Sequence, residues 1–179
     1  MREPTIARNY AEALFAAGER TGDTVRFADL LDAVAGAIAA DKRIQLALET
    51  PRVPKTRKQE LLRSALARRA PEPFIRFLAG VVKRGRQGLF GAISVQYQAL
   101  VDVKLNRVHA GVTLARAPDQ ALVAEITRRL REITGKDVVP HVREDPRIIG
   151  GVVVKIGDRI MDGSVRRRLA VLRRQMLGG

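Results

Sequence analysis

The apolar residues of this chain change their spacing once, near Asn106, and that change constrains its architecture more than any other feature. Before it they recur every three or four residues. After it they first alternate, as His109-Ala-Gly-Val-Thr-Leu114 does. A period near 3.6 belongs to a helix with one buried face, and a period of two to a strand. The spacing therefore predicts a mainly α protein with a small α+β part. An N-terminal six-helix bundle, residues 1–105, precedes a smaller C-terminal α+β domain, residues 106–179, with the boundary at Asn106–Val108.

Thr5 is placed to cap a first helix running to about Thr21. This helix carries two stripes, one of Ile6, Tyr10, Ala13, Leu14 and Ala17, the other of Ala7, Ala11 and Phe15. One stripe can face a core, and the Ala-rich one lets another helix approach closely. Gly22-Asp23 breaks the chain before a second helix with Phe27, Leu30, Leu31, Val34 and Ile38. A short third helix is expected around Arg43–Glu49. A fourth starts at Pro54 and carries Leu61, Leu62, Ala65 and Leu66, and a fifth starts near Pro71 with Phe74, Phe77, Leu78, Val81 and Val82. Gly85 and Gly88 end it, and the sixth runs from about Leu89 to Leu105.

In the second half, Pro118 is expected to open a helix closed by Gly135. Val138–Val142 and Ile148–Ile156 read as strands. Gly157-Asp158 makes a tight turn, and Ser164 caps a last helix.

The net charge is +14, split evenly as +7 over residues 1–105 and +7 over residues 106–179. An acidic partner or nucleic acid is thereby raised. The stacking aromatics of single-strand binders are missing, and there is no helix-turn-helix or RNA-recognition motif. A basic nucleic-acid-binding protein remains the alternative function. No cysteine is present, so a disulfide framework, a Cys-based zinc site and a thiol nucleophile are excluded. His109 and His141 lack a third ligand at recognisable spacing. Gly150-Gly151 lacks the phosphate-loop pattern and reads as a bulge or a close backbone approach. Asp158 and Asp162 read as a turn residue and a helix-start residue. No catalytic residue, cofactor site or metal site is expected. The start has no signal-peptide core, and no stretch approaches a membrane span.

Three segments carry a family resemblance. Arg8-Asn-Tyr10-Ala11-Glu-Ala13-Leu14-Phe15 is similar to an Arg-x-Tyr-Ala-x-Ala-Leu-Phe opening. Arg86-Gln-Gly-Leu-Phe-Gly-Ala-Ile93, followed by Tyr97, resembles a segment leading into a sixth helix, although the family more often has Asn-x-Arg where Gly85-Arg86 stands here. The run from Asp145 to Leu177 resembles a C-terminal signature. Together, in order and across the whole chain, they resemble the delta subunit of F-type ATP synthases, the bacterial counterpart of the mitochondrial oligomycin-sensitivity-conferring protein.

The resemblance implies a non-catalytic peripheral-stalk (stator) subunit of a proton-translocating enzyme. It implies one copy per complex, peripheral to the cytoplasmic face of the bacterial plasma membrane and held there through the complex. The bundle would bind the N-terminal helix of an alpha subunit of the catalytic head, in a groove assigned to Ala7, Tyr10, Ala11, Leu14, Phe15, Phe74, Leu78 and Val81. The C-terminal domain would bind the C-terminal ends of the b subunits through Val165, Leu169, Leu172, Arg173, Arg174 and Met176. The apolar face of that last helix, Val165, Leu169, Leu172 and Met176, is expected to pack on the small sheet.

Overall fold

A computed structural model describes residues 3–117 and 119–177. The chain divides into two compact units, one ending at Val103 and the next beginning at Lys104. The first is all helix: α1 (Glu3–Thr21), α2 (Thr24–Ala40), α3 (Lys42–Glu49), α4 (Lys55–Leu66), α5 (Glu72–Lys83) and α6 (Phe90–Lys104). The second runs β1 (Arg107–Leu114), α7 (Gln120–Thr134), β2 (Asp137–Glu144), β3 (Val152–Ile156), β4 (Arg159–Asp162) and α8 (Val165–Met176). This is the mainly helical protein with a small sheet that the change of period predicts.

The bundle core is built from one face each of α1, α2, α5 and α6. Ala7, Ala11 and Leu14 of α1, Phe27 and Leu31 of α2, Phe74, Leu78, Val81 and Val82 of α5, and Ile93 and Tyr97 of α6 are all fully buried. The small side chains at Ala7 and Ala11 let the core close tightly against α1. Aromatic pairs tie helices together, with Phe27 and Phe74 centroids 5.5 Å apart and Phe15 and Tyr97 6.0 Å apart. The Tyr97 hydroxyl donates to the Thr24 carbonyl at 2.9 Å, joining α6 to the start of α2. Burial first, and then the nearby Glu19 carboxylate, raise the Tyr97 pKa above its ordinary value.

Two local expectations in the bundle differ from the structure. Thr5 does not cap α1, which has already begun at Glu3, so Thr5 lies in its first turn. α4 does not bury its leucines: Leu61 is 45% exposed, and the buried residue of α4 is Lys58. The Lys58 ammonium donates to the Thr50 carbonyl at 2.7 Å, and Gln59 donates to the Ala79 carbonyl at 2.7 Å. α4 is thus held partly by long polar side chains whose stems are apolar and whose tips find carbonyls.

The second unit is a four-stranded sheet in the order β2-β1-β3-β4. β1 and β2 are parallel, which demands a crossover, and α7 supplies it. The other two pairings are antiparallel. Asp119 caps α7 by accepting from the Leu122 amide at 2.6 Å, and Gly135 closes it in the left-handed conformation. The start expected at Pro118 lies outside the described residues. The sheet core is Ala110, Val112, Leu114, Leu130, Val138 and Val154.

The strand expected over Ile148–Ile156 is shorter. Pro146–Ile148 forms a 3-10 turn, and pairing starts only at Val152. The delay has a cause at Gly151, whose φ is +80°, a conformation that L side chains rarely adopt. A Cβ there would collide with the Gly163 carbonyl. The glycine pair therefore brings two backbone segments into close approach, as its sequence context suggests.

Candidate functional site

Ser164 sets the start of α8. Its hydroxyl accepts from the Arg167 amide at 3.1 Å, and its own amide donates to the Asp162 carboxylate at 3.0 Å. These bonds from Ser164, and then the nearby arginines, lower the Asp162 pKa. The Val165 amide donates to the Gly150 carbonyl at 2.9 Å, so the first turn of α8 is pinned to the glycine pair. Beyond that turn the helix leaves the sheet. None of its residues is buried, Leu169 and Leu172 are each 52% exposed, and Met176 is 86% exposed. The expected packing of this face on the sheet is not observed. The turn from β4 through Gly163 and Ser164 fixes the direction in which α8 departs, and its contacts are with the 3-10 turn after β2.

A trough of about 610 Å³ lies beside α8. α7 packs against β2, and its Leu130 shares the sheet core with Val154 of β3. Ile126, Leu130 and Ile133 of α7 face Val152, Val154 and Met161 across the trough, with Arg167 of α8 at its edge. Ile126, Leu130 and Ile133 form the apolar stripe that the sequence gives α7, but the sequence assigns none of the trough residues a binding role. The signal was present as the apolar stripe of α7, which alone cannot show how much of a sheet a single helix will cover.

In the bundle, the predicted groove residues fall into two groups. Ala7, Ala11, Leu14, Phe74, Leu78 and Val81 are fully buried and offer no surface. Tyr10 and Phe15 are half-buried. Phe15 turns towards Tyr97, and Tyr10 meets Phe77 edge-to-face at 6.2 Å, bridging α1 to α5. The stripe left outside is Ile6, Tyr10 and Ala13, and it lines an open groove of about 760 Å³ with Asn9, Arg84 and Arg86. The Ala-rich stripe is the one that faces the core. Close helix approach needs small residues inside a bundle as much as at an interface, so the sequence alone does not separate the two uses.

His109 and His141, separated in sequence, meet on the sheet face away from α7. His109 Nδ1 and His141 Nε2 are 2.8 Å apart, and the rings stack with centroids 5.0 Å apart. Among the described residues no group of three His, Cys, Asp or Glu is placed to hold a metal ion. No described helix is long and apolar enough to cross a membrane.

A helical bundle is followed by a small α+β unit, and each carries an open groove with apolar lining residues. The family model for the ATP synthase delta (OSCP) subunit matches residues 6–176. The ATP synthase subunit delta of Gemmatimonas aurantiaca is 45% identical over 174 residues, covering 97% of this chain and 94% of that one. That of Salinibacter ruber is 32% identical, covering 96% and 90%. A chain in the cryo-EM structure of the Toxoplasma gondii mitochondrial ATP synthase hexamer shares the fold, with a TM-score of 0.70 at 18% identity over 97% of this chain and 98% of that one. The chain belongs to the ATP synthase delta (OSCP) subunit family. It is a non-catalytic peripheral-stalk component of an F-type ATP synthase complex. The nucleic-acid alternative receives no support from these relatives.

Proposed function

We propose that this subunit ties the catalytic head to the stalk through two separate surfaces. The groove lined by Ile6, Tyr10 and Ala13 takes the N-terminal helix of an alpha subunit. The buried residues beneath it, Ala7, Ala11 and Leu14 together with Phe74, Leu78 and Val81, set the shape of its floor without touching the guest. In α8, Leu169, Leu172 and Met176, flanked by Arg173 and Arg174, take the C-terminal ends of the b subunits, and the trough beside α7 extends that surface. One copy serves each complex, on the cytoplasmic face of the bacterial plasma membrane.

The observation that carries this reading is α8. A helix whose apolar face is partly covered only at Val165, in its first turn, and at least half exposed at Leu169, Leu172 and Met176, is disfavoured in water unless a partner covers it. Helix-in-groove docking is the corresponding mode for the bundle, with anchors at i, i+4 and i+7 spacing along α1. Both surfaces can be tested on the full chain, offered an alpha N-terminal peptide and a soluble b C-terminal fragment in separate titrations. Ala13→Glu is expected to lose the peptide and keep b. Removal of residues 165–179 is expected to lose b and keep the peptide. If either change abolished both interactions, or neither, the two-surface reading would fail.

A further inference from the structure

The α1/α5 groove has an apolar floor and a cationic side. α5 ends at Lys83, Arg84 follows as its C-cap, and Gly85 turns the chain at φ +69°. Arg84 and Arg86 therefore emerge on either side of the turn, and both line the groove. Lys55 closes in from α4, its ammonium donating to the Lys83 carbonyl at 3.1 Å. All four cations are exposed.

Their surroundings leave them unmatched. Elsewhere in the bundle carboxylates pair with local cations, as in Arg8 with Glu12, Arg26 with Asp23, Arg57 with Glu60 and Arg76 with Glu72. From Arg52 to Arg86 the sequence has eleven Lys and Arg against two carboxylates, Glu60 and Glu72, and both are already taken. Among the described residues no carboxylate pairs with Lys55, Lys83, Arg84 or Arg86. The negative end of the α5 dipole favours cations here. It does not explain why two of them flank an apolar floor.

We propose that the occupant of this groove is an amphipathic helix carrying carboxylates about one turn apart on the edge that faces α5, and that Arg84 and Arg86 read them. The inference rests on the groove being a docking site. Ile6, Tyr10 and Ala13 supply most of the affinity by desolvation. The arginines select the partner and fix its register, because a helix shifted by one turn brings its carboxylates past them. Arginine suits the task, since its planar guanidinium meets a carboxylate with two parallel bonds. A phosphate or nucleic acid would use the charge but not the helically spaced apolar floor.

Calorimetry on the full chain tests this. The probes are a synthetic peptide of about 20 residues from the N-terminus of the alpha subunit of the same enzyme, the same peptide with its Asp and Glu replaced by Asn and Gln, and a version with Lys in place of those on one edge. Reversing two partly exposed pairs in Arg84→Glu/Arg86→Glu is expected to weaken the native peptide about tenfold. The neutralised peptide should lose a similar factor against the unaltered protein. The Lys peptide should recover affinity with the reversed protein. Native binding should weaken as salt rises from about 50 mM to about 500 mM.

Equal binding of the native and neutralised peptides by the unaltered protein would overturn the inference. If Ala13→Glu still abolished binding in that case, the groove reading would stand alone. If Ala13→Glu also bound normally, the groove reading would fall with it. A duplex oligonucleotide bound more tightly than the peptide and lost in Arg84→Glu/Arg86→Glu would also overturn the inference, in favour of a nucleic-acid surface.

Discussion

Replacing both Leu169 and Leu172 by Ala on α8 separates binding from folding. Each leucine is 52% exposed in the free chain, so about half of its surface remains to be covered by a partner. Full burial of a leucine side chain contributes about 1.5–3 kcal/mol, so covering the exposed half contributes roughly 0.8–1.5 kcal/mol per residue. The double variant should then bind a soluble b fragment with about 1.5–3 kcal/mol less free energy, a loss of roughly 15- to 150-fold in affinity. Alanine has the higher helix propensity, so α8 itself should persist. Thermal stability should change by no more than about 0.5 kcal/mol, as for surface substitutions generally. Calorimetric titration gives the first quantity and a circular-dichroism melt the second. Unchanged affinity would show that this face is not the stalk surface. A loss of stability matching the loss of affinity would show that the face is packed within the free chain, contrary to its exposure.

Two further outcomes concern the bundle. Ala11→Glu places a charge at a fully buried site with no partner, and the bundle should lose more than about 3 kcal/mol, read as a collapsed or absent melting transition. A native-like melt would show that Ala11 faces outward after all. Tyr97→Phe removes the buried hydroxyl that donates to the Thr24 carbonyl and should cost about 0.5–1.5 kcal/mol in urea denaturation. Because the folded-state pKa of Tyr97 is raised, its contribution is complete below pH ~10, where the unfolded chain begins to ionise, and is lost as pH rises further. The phenylalanine variant should show a flatter alkaline limb.

The helical half was legible because its apolar stripes are long and its loops are marked by Gly and Pro. The one change of period located the sheet. Turn and cap chemistry also came through: Gly157-Asp158 forms the two-residue loop between β3 and β4, and Ser164 caps α8. What periodicity could not decide was which apolar face meets the protein and which meets a partner. On α1 both stripes are apolar, and only the packing of α2 and α5 shows that Ala7 and Ala11 lie inside while Ile6 and Ala13 lie outside. On α8 the face of Leu169 and Leu172 has the pattern of a core helix, yet the backbone path from Gly163 carries it off the sheet. The groove arginines were equally hidden, because Arg84 and Arg86 gain meaning only when the turn at Gly85 sets them beside α1.

The central claim is that this chain transmits torque and performs no chemistry. The direct measurement is ATP-driven proton pumping alongside ATP hydrolysis, in membrane vesicles stripped of this subunit and then reconstituted with it. The claim predicts that the head, detached for want of this link, continues to hydrolyse ATP while pumping is lost, and that adding the full chain back restores pumping without being needed for hydrolysis. Pumping that persists in the stripped membranes, or hydrolysis that stops without the chain, would contradict it.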